Sequence, residues 1–571
     1  MSTVASQSIV PAGFDPSDFS QIEPLGRELL ERRVASVEEL RQWVADLSRL
    51  WEIIDEAGKR RYIAKACRTD DPALEQAYLF WVREIQPKLQ PLFFELQKRY
   101  LRNPQRHDLY EAGFAMMELD WQADVDLFRQ ENIPLFTREQ ELNNEYDKTM
   151  AAMTVEFRGQ TYTLQQMARF FEETDRSTRE QAWRLTGERR LAARETIEQI
   201  FTQLLDLRVQ IAANAGLDNY RDYVWKARKR FDYGPDDCLA FGQAIEKLCV
   251  PLVEQLDERR KDELKVDALR PWDTAVDPRG RPPLRPFDPD DVAGFVETTR
   301  RVFERISPSL AGQFETLREN GDLDLDSRKG KQPGGFQSSL EASKRPFIFM
   351  NAAGLQRDVD TLLHEGGHAF HYIASRDQWN LFVRHAPLEF CEVASMSMEL
   401  LAGDHLGLYY ADAAEAARAR RVHLEGIIRF MPWMATIDGF QHWLYSHQGH
   451  TPVDRTAAWL DIFSRYSSGV IDWSGLEPFR ASRWHAQLHL FHVPFYYIEY
   501  GIAQLGALQV WLNYRRDPKA ALEQLLEAFA LGGTRPLPEL FSTAGIRFAF
   551  DDATLGPLIE AVREELARLP E

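Results

Sequence analysis

The chain has 571 residues, 44% hydrophobic and 27% charged, enough to bury a large core and to form two or more subdomains. A formal net charge of −19 argues against nucleic acid or an anionic membrane as a partner. No apolar run reaches the roughly 18 residues of a membrane span. The opening Met1-Ser-Thr-Val-Ala also lacks the basic start and apolar stretch of a secretory leader.

In chain order, residues 20–145 carry helical periodicity, as in Val37–Val44, with Ser36 suited as an N-cap. Residues 154–163 read as a small hairpin turning at Arg158-Gly159. Thr163-Leu-Gln-Gln then opens a helix with a capping-box start. Helices continue to residue 265, a Pro- and Asp-rich loop fills 266–290, and one further helix runs to residue 320. Gly330-Lys-Gln-Pro-Gly-Gly335 is a breaker cluster. Its lysine does not stand in the Gly-x-x-x-x-Gly-Lys-Ser/Thr order of a phosphate loop. Phe336–Leu340 and Phe347–Met350 read as short strands that pair in a small sheet. From residue 405 onward the pattern is helical again, with a turn-rich break at Tyr466–Gly475. Cys67, Cys238, Cys249 and Cys391 are scattered, with no Cys-x-x-Cys pair, and read as free thiols in a reducing compartment. The cytoplasm is therefore the expected location.

The most informative stretch is His364-Glu-Gly-Gly-His368. The preceding Gly354–Leu363 is helix-compatible, with Asp358 placed for the first turn. On a helix, His364 and His368 are four apart and project from one face, where one zinc ion can take both nitrogens. Glu365 is turned by about 100° from His364, off that face but near enough to act as a base toward water. Each glycine costs about 1 kcal/mol in a helix, so the pair implies close approach of another backbone or of substrate.

A catalytic zinc site has three protein ligands. A third histidine on the same segment fails, because the last position of the His-Glu-x-x-His-x-x-Gly-x-x-His pattern is Ala374. His371 lies seven residues from His364, about 10 Å along the axis, and reads as packing or as support to a ligand. The apolar helix Leu388–Leu401 carries Glu389, Glu392 and Glu399. A carboxylate in such a stripe needs a partner or a metal. Glu392 is the expected third ligand. Glu399, seven residues on and on the same face, is expected to support a ligand histidine. Cys391 points away and is expected in the core.

Taken together, Asp358-Val-x-Thr-Leu-x-His-Glu-x-Gly-His-Ala-x-His371 and Glu392-Val-Ala-Ser395 resemble the thimet oligopeptidase and oligoendopeptidase F family of zinc peptidases. The resemblance covers the last two-thirds of the chain by motif order. It implies one zinc ion per chain, held by His364, His368 and Glu392, with Glu365 as the base. His489-Leu-Phe-His-Val-Pro-Phe-Tyr-Tyr-Ile-Glu-Tyr-Gly501 resembles the family segment that supplies oxyanion donors. Carried over, these are His489, with His492 as an alternative, and Tyr500, with Tyr496 and Tyr497 as neighbours. Gly366 departs from the larger apolar residue of other members and would widen the space beside the metal.

The implied fold is mainly α: a large, multi-helix, two-subdomain, zincin-like peptidase. A small sheet lies beside the zinc helix, and a deep substrate channel keeps out folded proteins. The division expected is 1–190, an N-terminal helical subdomain, and 191–571, the catalytic domain. The implied activity is that of a zinc-dependent endopeptidase cutting internal bonds of short peptides. The alternatives are an exopeptidase of the same fold or a peptide-binding helical protein without catalysis. No nucleic acid or membrane partner is expected, and the oligomeric state stays open.

Overall fold

A computed structural model of the protein describes residues 9–111, 113–332 and 334–570. It is mainly α-helical, as the periodicity predicts, and no described helix is long and apolar enough to cross a membrane. Strands are few. β1 (Thr154–Phe157) and β2 (Gln160–Thr163) form an antiparallel hairpin. β3 (Leu323–Asp326), β4 (Phe336–Leu340) and β5 (Arg345–Ala352) form a second sheet in the order β3-β5-β4. β4 and β5 pair antiparallel with Phe336 opposite Phe349, while β3 runs parallel to β5. The chain folds as two compact units, each assembled from three stretches.

The first unit comprises the stretch ending at Asp126, Arg285–Arg420 and Ala503–Phe548. Its sheet contains a strand the sequence did not announce: Leu-Asp-Leu-Asp in β3 is short and half acidic, and aspartate is depleted in strands. Lys331, from the breaker cluster, explains how β3 is held. Its Nζ donates to Asp324 Oδ1 at 2.8 Å and to the carbonyls of Asp326 at 2.8 Å and Met350 at 2.5 Å. The single helix expected before residue 320 is two, Val292–Ile306 and Pro308–Asn320. Proline disfavours helical geometry in the residue before it, and Ser307 is extended at φ −162°, capping Ser309 N through its Oγ.

β5 leads into the helix Gln356–Ser375, here the motif helix, which packs on the helix Leu388–Ala402. The two glycines of the motif have separate uses. A Cβ at Gly367 would lie 2.6 Å from both Ala394 O and Ser395 Cα, so this glycine lets two helix backbones touch. A Cβ at Gly366 would meet the Phe303 ring at 2.7 Å. The space expected beside the metal is therefore filled by Phe303, which also packs on Phe370.

A buried ionic network ties the helix Val37–Cys67 to the end of β4. Glu341 accepts from Arg384 Nη1 at 2.8 Å and Tyr372 Oη at 3.3 Å, and pairs with His385 Nε2 at 2.6 Å and Lys59 Nζ at 3.3 Å. Arg384 also reaches Glu52 Oε1 at 2.5 Å. Burial pushes the Glu341 carboxyl upward, but His385, Lys59 and Arg384 outweigh it and hold it at about 2.

The second unit comprises Leu127–Leu284, Arg421–Ile502 and the stretch from Ala549. Its hairpin turns where predicted, with positive φ at both Arg158 (51°) and Gly159 (77°), as a two-residue turn matched to strand twist requires. Thr163 makes the expected capping box with Gln166. The core centres on Trp459, Trp484, Phe201 and Phe491, all fully buried. Arg208 is buried among them. It donates to Glu139 Oε1 (2.8 Å), Tyr445 Oη (2.9 Å) and the carbonyls of Leu490 (3.1 Å) and Phe491. None of the four cysteines is in a disulfide.

The first unit generates three stability predictions. Gly367→Ala is expected to lower unfolding free energy by about 1–3 kcal/mol through overpacking. Gly312→Ala, in a helix with nothing within 4 Å of the added Cβ, is expected to raise it by up to about 1 kcal/mol. Urea titration of the two variants reads the difference. The depressed Glu341 carboxyl contributes stability that is fully present above its ordinary value of 4.5 and is lost as pH falls toward about 2. Glu341→Gln is expected to flatten the stability profile in that window and to cost about 3 kcal/mol at neutral pH, measured by urea unfolding at a series of pH values.

Candidate functional site

The motif helix begins where Asp358 Oδ2 accepts from Ala353 N (2.7 Å) and Leu355 N (2.9 Å). This cap fixes the helix start after β5, and so the direction in which residues two and three turns later project. His364 and His368 lie on one face with ring centroids 4.9 Å apart. Across the Gly367 contact stands Glu392. Its Oε2 is 3.3 Å from His364 Nε2 and 3.7 Å from His368 Nε2, and donor atoms of all three residues lie within 4.8 Å of one another. Two ligands of a tetrahedral zinc, bonded at 2.0–2.1 Å, stand about 3.3 Å apart. The donor set thus fits zinc in atom type and spacing. The imidazoles are 23% and 18% exposed, whereas Glu392 is 7% exposed, so the cluster is reachable from the histidine side.

Each candidate ligand has a support. Glu399 Oε1 lies 2.7 Å from His364 Nδ1, the contact expected for a group that orients a ligand histidine. The His368 ring hydrogen-bonds the backbone of Cys391. Ser395 Oγ donates to Glu392 Oε2 at 3.0 Å. Burial alone would drive His364 down, but the carboxylates of Glu392 and Glu399 hold it well above the usual imidazole range. Burial dominates at His368, pushed down to about 4.

Glu365 is buried beside this group. Loss of solvent pushes its carboxyl up to about 7. His364 opposes the shift and Glu392 adds to it, and a backbone hydrogen bond from Gln337 in β4 partly offsets it. His371 packs between Phe390, edge-on, and the tilted ring of Phe529, its Nε2 without a hydrogen-bond partner, and burial drives it down to about 3. It is a neutral packing residue. Cys391 donates its S–H to the Ala386 carbonyl (3.4 Å). Burial pushes that thiol up to about 12, which leaves it inert.

His489, Tyr496, Tyr497 and Tyr500 belong to the second unit, where they form one aromatic cluster. The His489 ring lies 4.7 Å from Tyr497, 6.1 Å from Tyr496 and 6.2 Å from Tyr500. His492, the alternative, pairs instead with Asp147 at 2.9 Å. Burial pushes His489 down to about 4, with His492 and Arg228 adding to the shift, so it is a neutral imidazole. Gln487 Nε2 lies 2.8 Å from His489 Nδ1, and with the amide nitrogen donating there the ring proton sits on Nε2. Gln487 also hydrogen-bonds Tyr497.

The segment is fixed from below at two points. Arg208 holds the carbonyls that end its first helix. Phe495 adopts a left-handed φ of 59°, its N–H bound to Gln441 Oε1 at 2.6 Å and its carbonyl to Arg230. A bulky residue there is strained and persists only where its surroundings hold it. Sequence reading missed Gln487, Arg208 and Gln441. Gln487 is two residues before His489 and was open to discovery as a polar residue entering an aromatic run. Arg208 and Gln441 are distant and gave no signal.

The model for Peptidase family M3 matches residues 169–557, and that for the Peptidase M3 N-terminal domain matches residues 13–128. The chain is similar to Oligoendopeptidase F homolog of Borreliella burgdorferi, 22% identical over 243 residues, or 40% of each protein. It is also similar to Oligopeptidase PepF of Bacillus subtilis, 24% identical over 235 residues, 40% of this chain and 34% of that one. These alignments span well under two thirds of the curated relatives. The fold extends further: a solved structure of PZ peptidase A with inhibitor 2 matches 98% of this chain and 99% of its own, with a TM-score of 0.88 and 27% identity. A family model that covers more than half the sequence, on a helical fold shared over nearly its full length, establishes that this chain belongs to Peptidase family M3.

Proposed function

We propose that this protein is a zinc-dependent endopeptidase that hydrolyses internal bonds of short peptides. The observation that carries the reading is the convergence of His364, His368 and Glu392, with the buried Glu365 beside them on the same helix. His364, His368 and Glu392 would hold a zinc ion, which would supply Lewis acidity toward water and the scissile carbonyl. Glu365 takes the proton of the attacking water and delivers it to the leaving amine, a task suited to a carboxyl raised toward neutrality by burial. Glu399 and the Cys391 backbone keep the ligand rings in orientation. β4 is the edge strand beside the motif helix, and its backbone suits pairing with an extended peptide.

His489, through its Nε2–H, and Tyr500 act as donors to the tetrahedral oxyanion, with Tyr496 and Tyr497 lining the same cluster. Gln487 positions two of these groups by keeping the His489 tautomer and the Tyr497 hydroxyl in place. The names of the relatives, oligoendopeptidase F and oligopeptidase, support short peptides as substrates. Four thiols outside any disulfide suit a reducing compartment such as the cytoplasm.

Zinc content measured together with cleavage of an internally quenched peptide tests this reading. Glu365→Gln is expected to keep its zinc and lose roughly 10²–10⁴-fold in kcat. His364→Ala and Glu392→Ala are each expected to lose the zinc equivalent held by this cluster. A wild-type chain that binds no metal and cuts no peptide sinks the proposal. If end-blocked peptides survive while free ones are trimmed, the enzyme is an exopeptidase instead. Tyr500→Phe is expected to lower kcat by about 10²–10³-fold with KM nearly unchanged, the pattern of a contact made only in the transition state.

A further inference from the structure

The second unit holds another set of side chains with metal-binding chemistry. Cys238 lies on the helix Pro235–Leu248. Asp438 and His442 lie four apart, hence on one face, of the helix Ala413–Ser446. One donor atom from each comes within 4.8 Å of the others. All three are deeply buried, at 3%, 3% and 4% exposure, which denies a substrate access and rules out a nucleophilic cysteine.

Polar atoms of Asp438 and His442 in this cluster are not satisfied by protein groups. His442 Nε2 is 3.2 Å from Asp438 Oδ2, yet the orientation makes no hydrogen bond, and His442 Nδ1 and Asp438 Oδ1 also lack partners. Among the described residues, His442 is the only basic side chain in ion-pair range of Asp438. A buried carboxylate and imidazole in that condition carry a desolvation penalty that native interiors avoid. The 3.2 Å spacing is badly directed for a hydrogen bond but close to the roughly 3.3 Å that separates two ligands on one tetrahedral zinc.

We propose that Cys238, Asp438 and His442 bind a second, structural zinc ion. The thiol proton leaves to solvent on binding. The resulting thiolate and the carboxylate balance the two positive charges, neutral His442 supplies the nitrogen, and a water takes the fourth position. A thiolate in the set favours zinc over magnesium or calcium. The site also has a structural task. The His442 ring lies 5.6 Å from Trp225 and 5.2 Å from Phe495, and the adjacent Gln441 holds the Phe495 N–H. The ion therefore braces the left-handed turn that leads into Tyr496–Tyr500.

The test uses the full-length chain with the first cluster disabled, His364→Ala/His368→Ala, saturated with zinc and freed of excess metal. It is expected to retain one zinc per chain by mass spectrometry. Adding Cys238→Ser or Asp438→Asn is expected to reduce this to none, with far-ultraviolet circular dichroism unchanged. Cobalt loaded into the same double variant is expected to show a near-ultraviolet thiolate-to-cobalt band, abolished by Cys238→Ser. The histidine and glutamate cluster has no sulfur and cannot produce that band. A double variant that holds no zinc, zinc that survives both Cys238→Ser and Asp438→Asn, or bound cobalt without the sulfur band overturns the proposal. None of these outcomes bears on peptide cleavage, which stands or falls separately.

Discussion

At Gly367 the backbone of the motif helix meets the backbone of the next helix at Ala394 and Ser395, a separation that leaves no room for a Cβ. The cluster of His364, His368 and Glu392 depends on that approach. Glu392 is short of reach if the helices part by the width of a methyl group, and Ser395, whose hydroxyl steadies Glu392, is itself one of the residues at the contact. The roughly 1 kcal/mol that a glycine costs in a helix is offset by a crossing that brings Glu392 to the two histidines. Gly366, one residue earlier, serves another contact by admitting Phe303. The two glycines, about 100° apart around the helix, thus hold it against different neighbours.

Segments far apart in sequence are joined by buried charge. Arg384 links Glu341, just past the end of β4, to Glu52 in the middle of the helix Val37–Cys67. Arg208 fixes the carbonyls that end the short helix bearing His489. Ion pairs of this kind contribute little net stability over apolar packing, but breaking one leaves a charge uncompensated. Their effect is on specificity of arrangement, since a guanidinium with several defined acceptors tolerates few alternative positions. That is the requirement of a site whose groups must hold their orientation.

The helical character, the hairpin turn at Arg158-Gly159 and the pairing of β4 with β5 were all legible in the sequence, because each rests on local periodicity or turn chemistry. The cluster of His364, His368 and Glu392 was legible for a related reason: two members are four residues apart, and the third is an acid stranded in an apolar stripe. Nonlocal features were not legible. β3 has too few residues and too many aspartates to read as a strand, and it exists because Lys331 and β5 hold it. The break at Ser307-Pro308 was legible in principle, since a proline restricts its predecessor, but it was masked by continuous apolar periodicity on both sides. The purpose of Gly366 could not be read at all, because Phe303 lies 63 residues away.

The packing of Phe529 against His371 has a consequence for how the protein is made. The ring that seals this imidazole lies 158 residues further along the chain. At roughly 5–20 residues per second, a ribosome needs about ten to thirty seconds to supply it after the motif has been translated. During that interval His371 has only one of the two rings that cover it in the folded protein, that of Phe390. Arrival of Phe529 completes the cover, so the nearly complete polypeptide, rather than the motif alone, buries the third histidine.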